Sequence, residues 1–358
     1  MDHSLAFSPD YDTARSRFRA AAEHAGWKQE ALPLGIEGLT IDVAWRGPRD
    51  ARRVFVLSSG LHGIEGFLGS ALQLTLLASP LVGGELPDDV SIVFLHGLNP
   101  YGFKHRRRVD QDNIDLNRNF LLEGEAYSGS PDGYAELDSF FNPTSPPRRP
   151  WTTFPKMAWL IARHGMSTLK GILPVGQYDF PKGLFFGGSG PSTTYRLLDE
   201  HLERWLGSAE RVVHVDIHTG LGPRATYKLF VNRDKGDPAI EPLRDAFGAD
   251  VIEAWDPDAT SYTIRGGMGT WLAARFPNAE YDELTAEFGT RHVLHIVEAL
   301  RSENRATHWG RPDDAGTLAA NNRMMSAFAP IEGGWRRECV EQGVAIVRRG
   351  LATLMEAR

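Results

Sequence analysis

The sequence predicts an α/β protein in which helices cover both faces of a central sheet. Three short runs carry that prediction. Arg53–Ser59 (RVFVLSS), Val90–His96 (VSIVFLH) and Arg211–His218 (RVVHVDIH) are largely β-branched and apolar. Strands buried on both faces read this way, whereas a half-solvated strand alternates. Segments long enough for helices separate these runs, and that alternation defines the class. Ligands of such sheets bind just past the strand ends, so functional residues are expected there.

The elements follow in chain order. Residues 10–26 (DYDTARSRFRAAAEHAG) read as a helix that stops at Gly26. Residues 36–46 (IEGLTIDVAWR) alternate as a strand. The strand Arg53–Ser59 runs into Gly60-Leu61-His62-Gly63, and Phe67–Ala78 is an apolar helix. Val90–His96 is followed by the Asn99-Pro100 break. Residues 121–150 are rich in Gly, Pro, Ser and Asn and read as a surface excursion. Strand-loop-helix units continue on both sides of it, so one catalytic domain over 1–358 is expected. Ala158–Lys170 and Ser192–Leu206 read as helices, Tyr227–Val231 as a fourth buried strand and Glu280–Glu287 as a late strand. A helix over 290–302 and a long terminal helix over 334–356 complete the chain.

Composition narrows the function. Of 358 residues, 42% are hydrophobic and 24% charged, the balance of an ordinary globular protein. Cys339, the one cysteine, excludes an internal disulfide and a cysteine-ligated structural zinc. A net charge of −7 gives no reason to expect nucleic-acid binding, and the basic run Lys104–Arg108 is too short to change that. No basic and apolar leader opens the chain, and no run approaches the roughly 18 apolar residues of a membrane span. A cytoplasmic protein with no membrane partner is the expectation.

Three segments past strand ends concentrate ligand-type residues. The first is His62-Gly63-Ile64-Glu65, where His and Glu at i and i+3 converge if they lie on a turn opening a helix. The second is Asp115-Leu116-Asn117-Arg118-Asn119-Phe120. The third is Asp216-Ile217-His218-Thr219-Gly220. Two His and one Glu would leave a fourth metal position for water, the pattern of a catalytic zinc. Each motif alone has a plainer reading, as a helix cap, a solvated arginine or a packed histidine. Their order, each at a strand end, argues against that reading.

This ordered set resembles the zinc carboxypeptidase (M14) metallopeptidase family. It is similar to that family's uncharacterised bacterial carboxypeptidase-like branch, related to the aspartoacylase and succinylglutamate desuccinylase branch. The elements that carry the resemblance are HGIE, DLNRNF, DIHTG, Tyr262 followed by Gly266-Gly267, and TAEF, between about residues 62 and 288. The resemblance implies a mixed, mostly parallel sheet and one Zn2+ ion held by His62, Glu65 and His218. It implies Asp115 as the carboxylate that orients His62, and Asn117 and Arg118 as the grip on a substrate carboxylate. Arg107 is implied as the oxyanion arginine, with Arg108 beside it as the other candidate. Tyr262 is implied as a substrate-binding tyrosine and Glu287 as the general base.

The expected activity is hydrolysis of an amide bond next to a free carboxylate, on a short peptide or small amino-acid amide. An N-acyl amino acid amidohydrolase is the alternative, and an inactive ligand-binding protein on the same fold is a second. A serine hydrolase would need a GxSxG elbow, and Gly187-Gly188-Ser189-Gly190 has the wrong spacing. HExxH is absent. The resemblance also implies that the residue two past Gly-Gly lies at the base of a side-chain pocket; here it is Gly269, whose lack of charge weakly disfavours a basic-residue-specific enzyme. Arg265 is read as a solvated surface residue, and the aromatic loop Gln177–Gly188 is expected either to wall the cleft or to pack on the core. His96, His164 and His214 are read as structural, and Asp216 as sharing the sheet face of His218.

Overall fold

The computed structural model describes residues 3–148, 153–255 and 264–356. An eight-stranded sheet runs through it. The strands are β1 (Lys28–Pro33), β2 (Thr40–Arg46), β3 (Arg53–Ser59), β4 (Val90–His96), β5 (Arg211–Gly220), β6 (Tyr227–Asp234), β7 (Ile252–Trp255) and β8 (Glu280–Gly289). Their spatial order is β1-β2-β4-β3-β5-β8-β6-β7. The central strands β4, β3, β5 and β8 are parallel, while β2 and β6 join them antiparallel, which makes the sheet mixed and mostly parallel as expected.

Every residue of β4 and β5 is buried, as their apolar runs require. The two strands not anticipated from sequence, β1 and β7, lie at the sheet edges. Most of β1 is solvent-facing, so it lacks the apolar signal of an inner strand. The expected helix Ala158–Lys170 is two helices, Thr153–His164 and Met166–Ile172, broken where Gly165 takes φ +80°. A further helix, Ala315–Phe328, was not anticipated. Among the described residues no helix is long and apolar enough to cross a membrane.

Two apolar clusters hold the sheet, one on each face. On one face Phe55, Leu57, Val213, Val215, Leu284 and Phe288 pack under the helices Gly66–Leu77 and Gly333–Met355. On the other, Val54, Val56, Val212 and Tyr281 pack with Trp205, Trp271 and Leu272. Toward the strand C-termini this second face turns polar, carrying Ser58, His214, Asp216 and His218. The parallel register of β5 and β8 sets His218 beside Glu287. This polar end of the sheet is where the candidate site lies.

Candidate metal centre

After β3 the chain passes Gly60-Leu61 and enters a 3-10 turn, Gly63–Glu65, that leads directly into the helix Gly66–Leu77. Gly63 N–H donates to the Arg108 carbonyl and Ile64 N–H to the Arg107 carbonyl, at 3.1 and 2.8 Å. A Cβ on Gly63 would overlap the backbone of Gly102 and Phe103, so only glycine allows this approach. The turn therefore presents His62 and Glu65 to the end of β5.

There the three expected ligands meet. His62 Nδ1 lies 3.0 Å from Glu65 Oε1, His218 Nδ1 lies 3.0 Å from Glu65 Oε2, and the two Nδ1 atoms are 3.1 Å apart. All three side chains are buried. Tetrahedral ligands at about 2.0–2.1 Å from a zinc ion stand roughly 3.3 Å from one another, so the donor set fits one small divalent metal. The outward nitrogens are also held. His62 Nε2 lies 3.1 Å from Asp115 Oδ1, and His218 Nε2 lies 2.6 Å from Asp216 Oδ2. Carboxylates behind ligating imidazoles fix the ring and its tautomer. Thr219 N–H steadies Glu65 Oε2 at 3.0 Å.

The electrostatics follow from burial and pairing. Burial raises the Glu65 pKa, but the charge on His62 and the hydrogen bonds from both histidines outweigh it and hold the carboxyl below its usual range. Burial also disfavours the Asp115 carboxylate, yet Arg108 and His62 bring its pKa well below normal. Burial opposes charge on His218, but Asp216 and Glu65 raise its pKa well above the ordinary imidazole value. The ionised Glu65 carboxylate and the pull toward positive charge at His218 make the same place favourable for a bound cation, which would compete with protons there. Glu287 is different: burial, then repulsion from Glu65, pushes its carboxyl up to about 7. Its Oε1 accepts the Leu221 N–H at 2.8 Å.

Of the two arginines, the structure brings Arg108 to the cluster and turns Arg107 away. Arg108 donates to Asp115 Oδ2 at 2.9 Å and to Glu65 Oε1 at 3.2 Å. Arg107 donates to Glu303 Oε1 at 2.7 Å and to Asn113 Oδ1 at 3.0 Å. The reason is local. The helix Pro100–His105 ends with Arg106 at φ +56°, and the reversed chain pairs with the Gly63–Glu65 turn. Neighbours on such an extended segment point to opposite sides.

Asn117 Oδ1 accepts the Met268 N–H at 3.1 Å. Arg118 is buried and donates to the Pro174 and Asn117 carbonyls at 2.8 and 2.7 Å. The guanidinium groups of Arg108 and Arg118 flank the Phe185 ring at 5.4 and 5.5 Å. Phe185 takes φ +57°, an uncommon conformation for a bulky residue, and belongs to the loop Gln177–Gly188. That loop lies against the DLNRNF segment, with Asp115 N–H donating to the Phe186 carbonyl at 2.7 Å. Tyr262 lies outside the described residues. Arg265 donates to the Ser128 carbonyl at 2.9 Å and stacks on Tyr178 at 4.4 Å, tying down the excursion.

Sequence reasoning placed Asp216 on the face of His218 but missed the buried chain that continues behind it. Asp216 Oδ1 accepts from Ser58 Oγ at 2.5 Å, Ser58 Oγ lies 2.7 Å from His214 Nε2, and His214 Nδ1 lies 3.0 Å from the Tyr281 hydroxyl. Burial lowers the His214 pKa to about 4, so it is neutral at pH 7 and suited to passing a hydrogen bond along the chain. A signal was present, because His214, Asp216 and His218 recur at period two in an apolar strand; Ser58 joins them only through the pairing of β3 with β5. His96, read as structural, stacks on Phe18 at 4.4 Å and bonds Ser70 at 3.0 Å.

A mixed sheet with this three-donor cluster at its strand ends defines a carboxypeptidase-like α/β fold. The chain belongs to the family described as protein of unknown function DUF2817, whose profile matches residues 7–342. No curated protein sequence matches it. Among solved structures it is similar to thrombin-activatable fibrinolysis inhibitor, with TM-score 0.55 and 12% identity over 97% of this chain and 75% of that one. The bovine form of that protein, in complex with tick carboxypeptidase inhibitor, gives TM-score 0.54 and 13% identity over 97% of both chains. Carboxypeptidase A from Helicoverpa armigera gives TM-score 0.49 and 11% identity over 90% of this chain and 74% of that one.

Proposed function

We propose that this protein is a zinc-dependent hydrolase that cleaves an amide bond adjacent to a free carboxylate, on a short peptide or a small amino-acid amide. The observation that carries the reading is the convergence of His62, Glu65 and His218 within 3.0–3.1 Å, beside Glu287 on the neighbouring strand. Zinc suits two imidazoles and one carboxylate with a position left open, and when bound it supplies Lewis acidity and a more acidic water. Glu287, whose carboxyl is pushed up to about 7, accepts the proton of the attacking water and returns it to the leaving amine. Arg108, at the cluster edge, steadies negative charge developing on the carbonyl oxygen. Asp115 and Asp216 hold the two imidazoles in register. Arg118 and Asn117 orient the substrate carboxylate, for which a guanidinium fork is the fitting partner.

A second reading, N-acyl amino acid hydrolysis, is favoured by one observation. The loop carrying Phe185 closes over Asp115–Asn119, and such a wall suits small substrates better than long peptides. The experiment is a screen of zinc-loaded protein against dipeptides, short peptides and N-acyl amino acids, reading released amino acid. Turnover of one class alone selects between the two readings. Stoichiometric zinc with no turnover of any class would reject both in favour of a binding protein.

A further inference from the structure

One cation of the basic run Lys104–Arg108 has no acidic partner among the described residues. Lys104 pairs with Asp12 at 3.2 Å, Arg107 with Glu303 at 2.7 Å and Arg108 with Asp115 at 2.9 Å. The Arg106 guanidinium makes no hydrogen bond or ion pair among the described residues. The carboxylate that feels its charge, Asp10, is committed to the Thr13 N–H at 2.8 Å, where it caps the helix Tyr11–His24. Arg106 instead lines an open cavity of about 400 Å3.

The cavity lies where the segment after the turn His3–Ala6 meets the start of the helix Gly66–Leu77, the end of Ala315–Phe328 and the start of Gly333–Met355. Phe7, Phe67, Met325 and Ile331 form its apolar wall, and Ile331 is 75% exposed. Phe7 and Phe67 belong to the apolar cluster on one face of the sheet, whereas His218 and Glu287 lie on the other, so the cavity is separate from the metal centre. Arg336 completes the lining. Its guanidinium stacks on the Phe7 ring at 4.5 Å, and its Nε donates to the Pro330 carbonyl at 3.0 Å. Burial lowers its pKa from the ordinary guanidinium value, against the pull of Glu332, which is itself bonded to Arg291. A partly buried cation without a paired acid is costly, and an anion brought by a ligand relieves that cost.

Independently of the hydrolase reading, we propose that this cavity binds a monocarboxylate with an apolar chain, of fatty-acid type. Arg106 and Arg336 take the carboxylate, for which guanidinium forks are the fitting partners. The chain lies along Phe7, Phe67, Met325 and Ile331. The volume falls within the roughly 300–1,000 Å3 of small-molecule sites. An inorganic anion would leave the apolar wall in water, and a neutral chain would leave both guanidiniums unpaired. A second copy of this protein, packed through the same patch about a two-fold axis, would set arginine against arginine.

The test is calorimetry on the zinc-loaded protein with acetate, octanoate, decanoate and octan-1-ol. Octanoate and decanoate should bind one per chain, with the two added methylenes tightening binding about tenfold. Acetate should not bind detectably, and octan-1-ol should bind about tenfold or more weakly than octanoate. Arg106→Gln and Arg336→Gln should each weaken decanoate by about tenfold or more, and Arg106→Lys, which keeps the charge, should fall between. Arg118→Met and His218→Ala should bind decanoate as the wild type does. Loss of binding in either of these, with retention in Arg106→Gln, would place the carboxylate at the metal centre and overturn the proposal. So would octan-1-ol binding as tightly as octanoate, or no decanoate binding by the wild type. Self-association of the wild type that Ile331→Ser abolishes would give the patch to a second copy and also overturn it. None of these readouts depends on turnover, so the hydrolase reading stands or falls separately.

Discussion

Glu287 and His218 face one another across two paired strands and are assigned different work, and single substitutions separate them. Glu287→Gln should keep stoichiometric zinc and lose about 100–10,000-fold in kcat, because an amide cannot take up the proton. His218→Ala should lose zinc outright in elemental analysis. Retention of full zinc by His218→Ala, or loss of it by Glu287→Gln, would reverse these roles. The neighbouring arginines give a second contrast. Arg108→Met should lower kcat about 100–1000-fold, the usual effect of removing a donor to a developing oxyanion. Arg107→Met should chiefly destabilise, by about 3–5 kcal/mol in denaturant unfolding, because it leaves buried Glu303 without its charged partner. For Arg118 the comparison is between a substrate and its C-terminal amide. Arg118→Met should lose kcat/KM selectively on the free acid, and equal loss on both would make Arg118 a prop for its loop rather than a carboxylate grip. Residue identity was legible for the donors, since His62 and Glu65 follow one apolar strand and His218 interrupts another. Side-chain direction at 107 and 108 was not, because it depends on which backbone the segment pairs with.

The element that matters most for the site is the turn Gly63–Glu65, wedged against Gly102-Phe103 and leading into the helix Gly66–Leu77. Gly63→Ala forces a methyl into that contact. The expected result is a loss of about 1–3 kcal/mol in stability, together with weaker zinc binding, since His62 and Glu65 ride on the turn. Unchanged zinc affinity alongside lowered stability would show that the turn can shift without moving its ligands. The inner strands β3, β4 and β5 were legible because burial on both faces demands continuous apolar runs. The edge strands β1 and β7 were not, because an edge strand takes its place from backbone pairing with a neighbour, which leaves little mark on side-chain pattern.

At the scale of the whole molecule, the centre ties the turn after β3, the DLNRNF segment and the ends of β5 and β8 into one cluster. A metal bound only by the folded arrangement stabilises all of it by mass action, about 2.7 kcal/mol when free metal is 100 times the dissociation constant. Chelation should therefore lower the thermal midpoint of the wild type, and the shift should disappear in His218→Ala. An equal shift in both proteins would place the stabilising metal elsewhere. The effect should shrink in acid, as protons compete for the two imidazoles and the carboxylate.

The sequence by itself determined the class of fold and the inner strands and marked His62, Glu65 and His218 as candidate donors, because apolar periodicity and ligand-type residues past strand ends are properties of local chemistry; Glu287 was singled out only by the family resemblance. Only the tertiary structure decided that Arg108 rather than Arg107 reaches the cluster, that Ser58 and His214 extend the support of Asp216, and that Arg106 and Arg336 meet at one cavity. Those three outcomes depend on strand register and on which segments pack together. Residues far apart in sequence settle them jointly, and no single stretch of the chain carries the information alone.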